Sequence, residues 1–227
     1  EVMWAFMFFH AFVFAATRQQ VAGQTSESSL ALLQVVYRHG DRTPIRTFKN
    51  DPIPITAWKE GPGQLTKLGC QQHYALGSHL RSRYNHFISG NPHELRVWSS
   101  DRDRCLASAQ CHLASFAVPS ADWAWNKTFP WQPVPIHTRP VSEDGMLVPG
   151  DAYCPEAKAE AQRVKDSAEG QAFLKKYHKL YETLTEKTGS IIADWNDASY
   201  VYDALLIERY HNYSTPTWAK ELWDKLR

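Results

Sequence analysis

Apolar and polar positions along this chain change their period several times, and each change predicts an element. Residues 30–37, LALLQVVY, are apolar apart from Gln34. A continuous run of that length, with β-branched residues near its end, predicts a strand buried on both faces. From Leu65 the spacing changes to threes and fours, through Leu68, Leu76, Leu80, Tyr84, Phe87 and Ile88. That spacing predicts a long helix, with Thr66 as its N-cap and Gly90, Asn91 and Pro92 as its stop. Residues 95–98 predict a second short strand, and Leu106, Ala109, Leu113 and Phe116 mark a helix after it, capped by Ser100 or Asp101. Between Pro119 and Pro155 prolines and tryptophans crowd together and no period survives, which predicts a long ordered loop packed on aromatics. Residues 155–227 read as helical. A charged segment at 157–169 precedes a stripe of Phe173, Leu174, Tyr177, Leu180, Tyr181 and Leu184 that ends at Gly189, and segments at 191–210 and 218–226 follow.

A strand, turn and helix therefore occur twice in succession, which predicts an α/β core over residues 30–137, followed by a loop and helical cap over 138–227. With 227 residues the chain is long enough for a sizeable core. Its 25 basic and 24 acidic side chains nearly balance, so nothing in the total charge points to nucleic acid or to an anionic membrane. Residues 2–16 are apolar except for His10 and give way to Thr17, Arg18, Gln19 and Gln20. That length suits the core of a signal peptide and falls short of the ~20 residues of a spanning helix, so a signal peptide is predicted over residues 1–22. The acidic Glu1 and the lack of an initiating Met make the chain read as starting inside a longer frame, and a membrane anchor stays the alternative. Sequons at Asn126 (Asn-Lys-Thr) and Asn212 (Asn-Tyr-Ser) agree with a secretory route, to the cell exterior or the lysosome. Cys70, Cys105, Cys111 and Cys154 allow three full pairings. Cys105 and Cys111 fall on different faces of one predicted helix and read as small core residues, while Cys154, in a Pro-flanked loop, is the better disulfide candidate.

The chemistry gathers where the first strand ends, at RHGDRTP, residues 38–44. Arg38 and Arg42 flank His39 and supply forked donors that fit phosphate oxygens. Neighbouring positive charge disfavours the imidazolium, so a ring nitrogen keeps its lone pair. A neutral imidazole beside a bound phosphate is a nucleophile, and attack on phosphorus gives a phosphohistidine that water hydrolyses. Gly40 permits a tight backbone turn and Pro44 fixes the exit.

RHGDRTP on the end of an apolar strand resembles the signature of the histidine acid phosphatases, the branch of the histidine phosphatase superfamily that holds prostatic and lysosomal acid phosphatases. QLTKLG in the first long helix, SSDRDRCLASA at the second strand, WQPVPIHTRP in the proline-rich loop and VYDALLIERYHNYSTPTW near the end are similar to further segments of that family. The resemblance implies a central, mostly parallel sheet flanked by helices, as in phosphoglycerate mutase, with a helical cap. It implies His39 as nucleophile, Arg38 and Arg42 as phosphate ligands and Arg104, the last arginine of the second block, as the residue that completes the clamp. Arg102 then sits at a variable position, and His137 is structural. Ile207 stands where the family has a cysteine, so a disulfide from that position is absent.

In the family a downstream His-Asp or His-Ala-Glu motif protonates the leaving oxygen. No such motif occurs through Arg227, which reads as a chain carrying about the first two thirds of a domain. His93-Glu94 lies where the family has no donor. The implied activity is hydrolysis of orthophosphoric monoesters, on a small phosphomonoester or a phosphoprotein, with no cofactor and no metal. The alternatives are a phytase, a lysophosphatidate phosphatase, or an inactive phosphate- or phospholipid-binding scavenger of the same fold. A mutase is disfavoured by the leader and the sequons. Oligomeric state stays open between monomer and homodimer.

Overall fold

A computed structural model of the chain describes the backbone of residues 12–17 and the full residues 30–226. Of the expected signal peptide, residues 1–11 and 18–22 lie outside the described residues. The remainder, Phe12–Thr17, is β1, antiparallel to β2, Leu30–Val36, with Phe12 opposite Val36 and Thr17 opposite Leu30. Contacts divide the chain into two units, one of Glu1–Asp41 with Leu65–Leu147, the other of Arg42–Gln64 with Val148–Arg227.

In the first unit, α1 (Lys67–Arg83) lies along α2 (Asp103–Phe116). Thr66 caps α1 as its sequence predicts, its hydroxyl accepting from the Gly69 N–H at 3.1 Å. Leu80, Ile88, Leu113, Phe116 and Ala117 form the core, against which Leu33 and Val35 of β2 pack. The opposite face of β2 departs from expectation. Leu32 and Val36 are 50% and 52% exposed, because among the described residues β2 pairs with β1 alone and packs through one face. A run that is apolar but for Gln34 here reports a strand with two largely apolar faces, of which one is covered.

Cys70 of α1 and Cys111 of α2 form a disulfide, with Cα atoms 5.3 Å apart. This corrects the reading of Cys111 as a core residue. Side-by-side packing of the helices, rather than spacing within one helix, sets the pair. Cys105 and Cys154 are free thiols. Neither Ser100 nor Asp101 caps α2. A turn from the Arg102 N–H to the Ser100 carbonyl (2.8 Å) puts both outside the first helical turn and makes Arg102 the N-cap residue, with no side-chain capping bond to the helix. The proline-rich stretch contains a strand that its irregular pattern hides: β3, Val97–Trp98, pairs in parallel with β4, Ile136–His137. Gln132, buried, anchors the stretch by donating its amide to the carbonyls of Gly90 (2.8 Å) and Ala117 (3.0 Å).

The second unit holds α3 (Pro155–Asp166), α4 (Ala168–Thr188), α5 (Trp195–Tyr210) and α6 (Thr217–Leu226). These match the four helical segments read from the sequence. Gly189 ends α4 in the left-handed conformation at φ 67°, as the predicted stop requires. Asp194 caps α5 by accepting from Asn196 N–H at 2.9 Å. Asn212 ends that helix at φ 60°, where the Tyr213 N–H reaches back to the Glu208 carbonyl at 2.9 Å. Phe48, Leu184, Ile192, Val201 and Leu205 make the core of this unit.

Candidate active site

The loop that follows β2 is fixed from below by buried rings. Tyr37 lies with its ring centroid 5.0 Å from that of His73 and 4.7 Å from that of His112, and burial pushes its hydroxyl up to about 12. His73, fully buried on α1, donates Nε2–H to the Arg38 carbonyl at 3.0 Å, and burial lowers its imidazole below the ordinary histidine value. His112 on α2 is buried too. Burial first, and then the neighbouring His73, lower it to about 4.

Backbone packing fixes the next residues. A Cβ on Gly40 would fall on the Gly69 carbonyl, and a Cβ on Gly69 would fall on the backbone of Asp41. Both glycines are therefore needed for the loop to lie against the first turn of α1. Asp41 is held on three sides: its N–H donates to Gln72 Oε1 (2.8 Å), its carbonyl accepts from the Thr66 N–H (3.0 Å) and its carboxylate accepts from the Thr66 hydroxyl (2.5 Å). Ser108 of α2 joins the two loops of the unit. Its Oγ accepts from the Gly40 N–H at 3.0 Å and donates to the Arg104 carbonyl at 2.6 Å. The backbone after His39 and the backbone of Arg104 thus share one hydroxyl.

His39 has one ring nitrogen assigned by chemistry. Nδ1 lies 2.8 Å from the Gly40 carbonyl, which can only accept, so Nδ1 carries the proton and the lone pair of the neutral ring sits on Nε2. His39 is half-buried, Arg38 is exposed, and Arg104 is half-buried in the first turn of α2.

Arg42 belongs to the second unit. It is buried at 8% exposure. Its Nη1 and Nη2 donate to Asp203 of α5 at 3.0 and 2.9 Å, and Nη1 also donates to the Thr43 carbonyl at 3.1 Å. Thr43, fully buried, is held by its hydroxyl donating to the Gly61 carbonyl (2.6 Å) and by its N–H donating to Gln64 O (3.0 Å).

Of the histidines set aside on sequence grounds, His73 proves to support the loop directly, and Ser108 and Gln72 were not singled out. Ser108 had a signal, since it is the last of the three serines in the SSDRDRCLASA segment, but its link to Gly40 spans 68 residues. His137 lies in β4 with its ring 5.4 Å from Trp98, a packing role. Glu94 accepts from the Ser89 hydroxyl at 2.8 Å, within its own turn. No group of acidic, histidine or cysteine side chains able to hold a metal occurs among the described residues.

The sequence profile of the histidine phosphatase superfamily (branch 2) matches residues 29–190. Prostatic acid phosphatase of Bos taurus is 41% identical over 205 residues, a stretch that covers 88% of this chain and 52% of that protein. Lysosomal acid phosphatase of Xenopus laevis is 39% identical over 192 residues, covering 84% of this chain and 44% of the relative. The chain spans about half the length of these curated relatives. Among solved structures, the phytase from Citrobacter braakii superposes with a TM-score of 0.52 over 83% of this chain and 56% of the phytase; at 16% identity the likeness shows the fold alone.

Proposed function

The chain belongs to branch 2 of the histidine phosphatase superfamily, and on that premise we propose that it serves an acid phosphatase, carrying the nucleophile and the phosphate clamp for hydrolysis of orthophosphoric monoesters. The observation that carries the reading is the orientation of His39, whose Nδ1–H is committed to the Gly40 carbonyl. Nε2 attacks phosphorus as the ester P–O bond breaks, and the leaving oxygen departs as the alkoxide or takes a proton from water. Water then attacks the phosphohistidine, the N–P bond breaks and inorganic phosphate departs. Arg38, Arg42 and Arg104 bind the equatorial oxygens and stabilise the charge that spreads over them in both transfers. The substrates are small phosphomonoesters or phosphoproteins.

The same proposal places the protein in the secretory pathway, outside the cell or in the lysosome. Three features support it. The Cys70–Cys111 disulfide suits an oxidising compartment. Asn212 lies exposed at a helix end. Asn126 lies in a turn where its side-chain oxygen accepts from the Thr128 N–H (2.9 Å) and hydroxyl (3.0 Å). We take both asparagines as glycan acceptors. No helix among the described residues is long and apolar enough to cross a membrane.

A direct test uses p-nitrophenyl phosphate, whose leaving group departs as a stable anion and so makes the least demand on a proton donor. His39→Asn should abolish hydrolysis while leaving the unfolding midpoint within a few degrees. Hydrolysis by the variant at the rate of the unsubstituted protein sinks the assignment.

A further inference from the structure

The guanidinium of Arg42 is only partly used by the protein, and the part left over is specific. Of its five N–H bonds, those at the tip of the fork go to the two oxygens of Asp203, and the second Nη1–H goes to the Thr43 carbonyl. That leaves Nε–H and the remaining Nη2–H. These two are parallel and lie along one side of the planar group. Nε is buried without a hydrogen-bond partner among the described residues.

A buried charged donor with no acceptor is disfavoured unless something fills the place. Two parallel N–H bonds on a guanidinium edge match two oxygens of one tetrahedral oxyanion. We propose that Arg42 binds phosphate through its Nε/Nη2 side edge and that Asp203 is a positioning residue, which grips the opposite end of the guanidinium and fixes its plane before the anion arrives. The inference rests on the phosphate-binding reading above and adds the edge used and the residue that presents it.

The chemistry favours holding over blocking. Asp203 occupies only the Nη1/Nη2 end, so anion and carboxylate address different hydrogens and need not exchange. Thr43, which takes the third N–H, is itself tied to Gly61 and Gln64, so the guanidinium is held from two separate segments, α5 through Asp203 and the loop through Thr43. With Arg42 buried and Asp203 at 18% side-chain exposure, water competes weakly for either contact. A fixed donor pair then meets the anion without reorganising, the condition under which such groups stabilise transferred phosphoryl groups best.

The test is titration of the chain with inorganic phosphate, followed by calorimetry and by the arginine Nε–H resonances. Binding should move the Arg42 Nε–H resonance downfield. Arg42→Lys keeps a cation for Asp203 but has no second edge, and in the folded protein should weaken phosphate binding by about tenfold or more. Asp203→Asn, of the same shape, should weaken binding by about three- to tenfold and leave the Arg42 Nε–H signal broadened. If phosphate shifts other resonances while the Arg42 Nε–H stays in place, the edge assignment is wrong and the phosphate reading survives. Tighter binding by Asp203→Asn makes Asp203 a competitor and overturns its positioning role. If the unsubstituted chain binds no phosphate, both readings fall.

Discussion

Replacing Glu208 by glutamine removes an ionisable group from the interior of the second unit and should change how that unit responds to pH. Glu208, on α5, is fully buried, and its partner is the carboxyl of Asp51 in the proline-containing segment before Trp58. Asp51 is itself fixed, its Oδ1 accepting from the Ile53 N–H at 2.9 Å. Burial first, and then the nearby Asp51 charge, push Glu208 up from 4.5 to about 8, and burial raises Asp51 as well. Two buried carboxyls near each other thus disfavour each other's charge, and the pair holds a proton more readily than an exposed carboxyl does. The folded state binds more protons than the unfolded chain between pH 4.5 and 8, so the contribution is fully present below pH 4.5 and is lost as pH rises toward 8. At 1.36 kcal/mol per pH unit, the full loss is about 5 kcal/mol. Glutamine keeps a donor toward Asp51 and carries no titrating proton. Urea unfolding between pH 4.5 and 8.5, read by tryptophan fluorescence, should show the unsubstituted chain losing several kcal/mol and Glu208→Gln losing about 1 kcal/mol. An equal loss in both proteins would refute the raised titration of Glu208. A lumen of low pH is where such a pair is most stabilising, which fits the compartment proposed above.

His112 should titrate in the opposite sense. Its depressed value means that the stability it contributes is present above pH 6.5 and is lost as pH falls through about 4, a loss of about 3 kcal/mol, and its ring nitrogen shifts should report a neutral imidazole at pH 5. A midpoint near 6.5 would show that the ring is not buried. Ser108→Ala leaves the Gly40 N–H without its acceptor and should cost about 1–3 kcal/mol in urea unfolding, with no cost if water enters to replace the hydroxyl. Gly69→Ala drives a methyl into the Asp41 backbone, and the melting midpoint should fall by several degrees although alanine is the better helix former. An unchanged or higher midpoint would mean the loop yields freely.

What the sequence revealed and what it hid divide by range. The RHGDRTP string, the Thr66 cap and the Gly189 stop depend on residues next to one another, and all three were legible. Helix α4 carries an apolar stripe that can be read without its partners. The hidden features are long-range. Arg42 and Asp203 meet across 161 positions, and nothing local marks which carboxylate takes the fork. The Cys70–Cys111 pair, separated by 41 residues, depends on which faces of α1 and α2 meet. β4 is two residues long and takes its identity from β3 rather than from any pattern of its own. The second face of β2 failed for a related reason, since apolar residues declare what can be covered and packing decides what is.

The most direct measurement is capture of the covalent intermediate. The protein is mixed with a radiolabelled phosphomonoester, quenched under alkaline denaturing conditions that preserve phosphoramidate bonds, and digested for mass spectrometry. The predicted result is phosphate on Nε2 of His39 that appears before the bulk of the product and is absent from His39→Asn. Turnover with no label on His39, or label on another residue at the same rate, would contradict the nucleophile assignment.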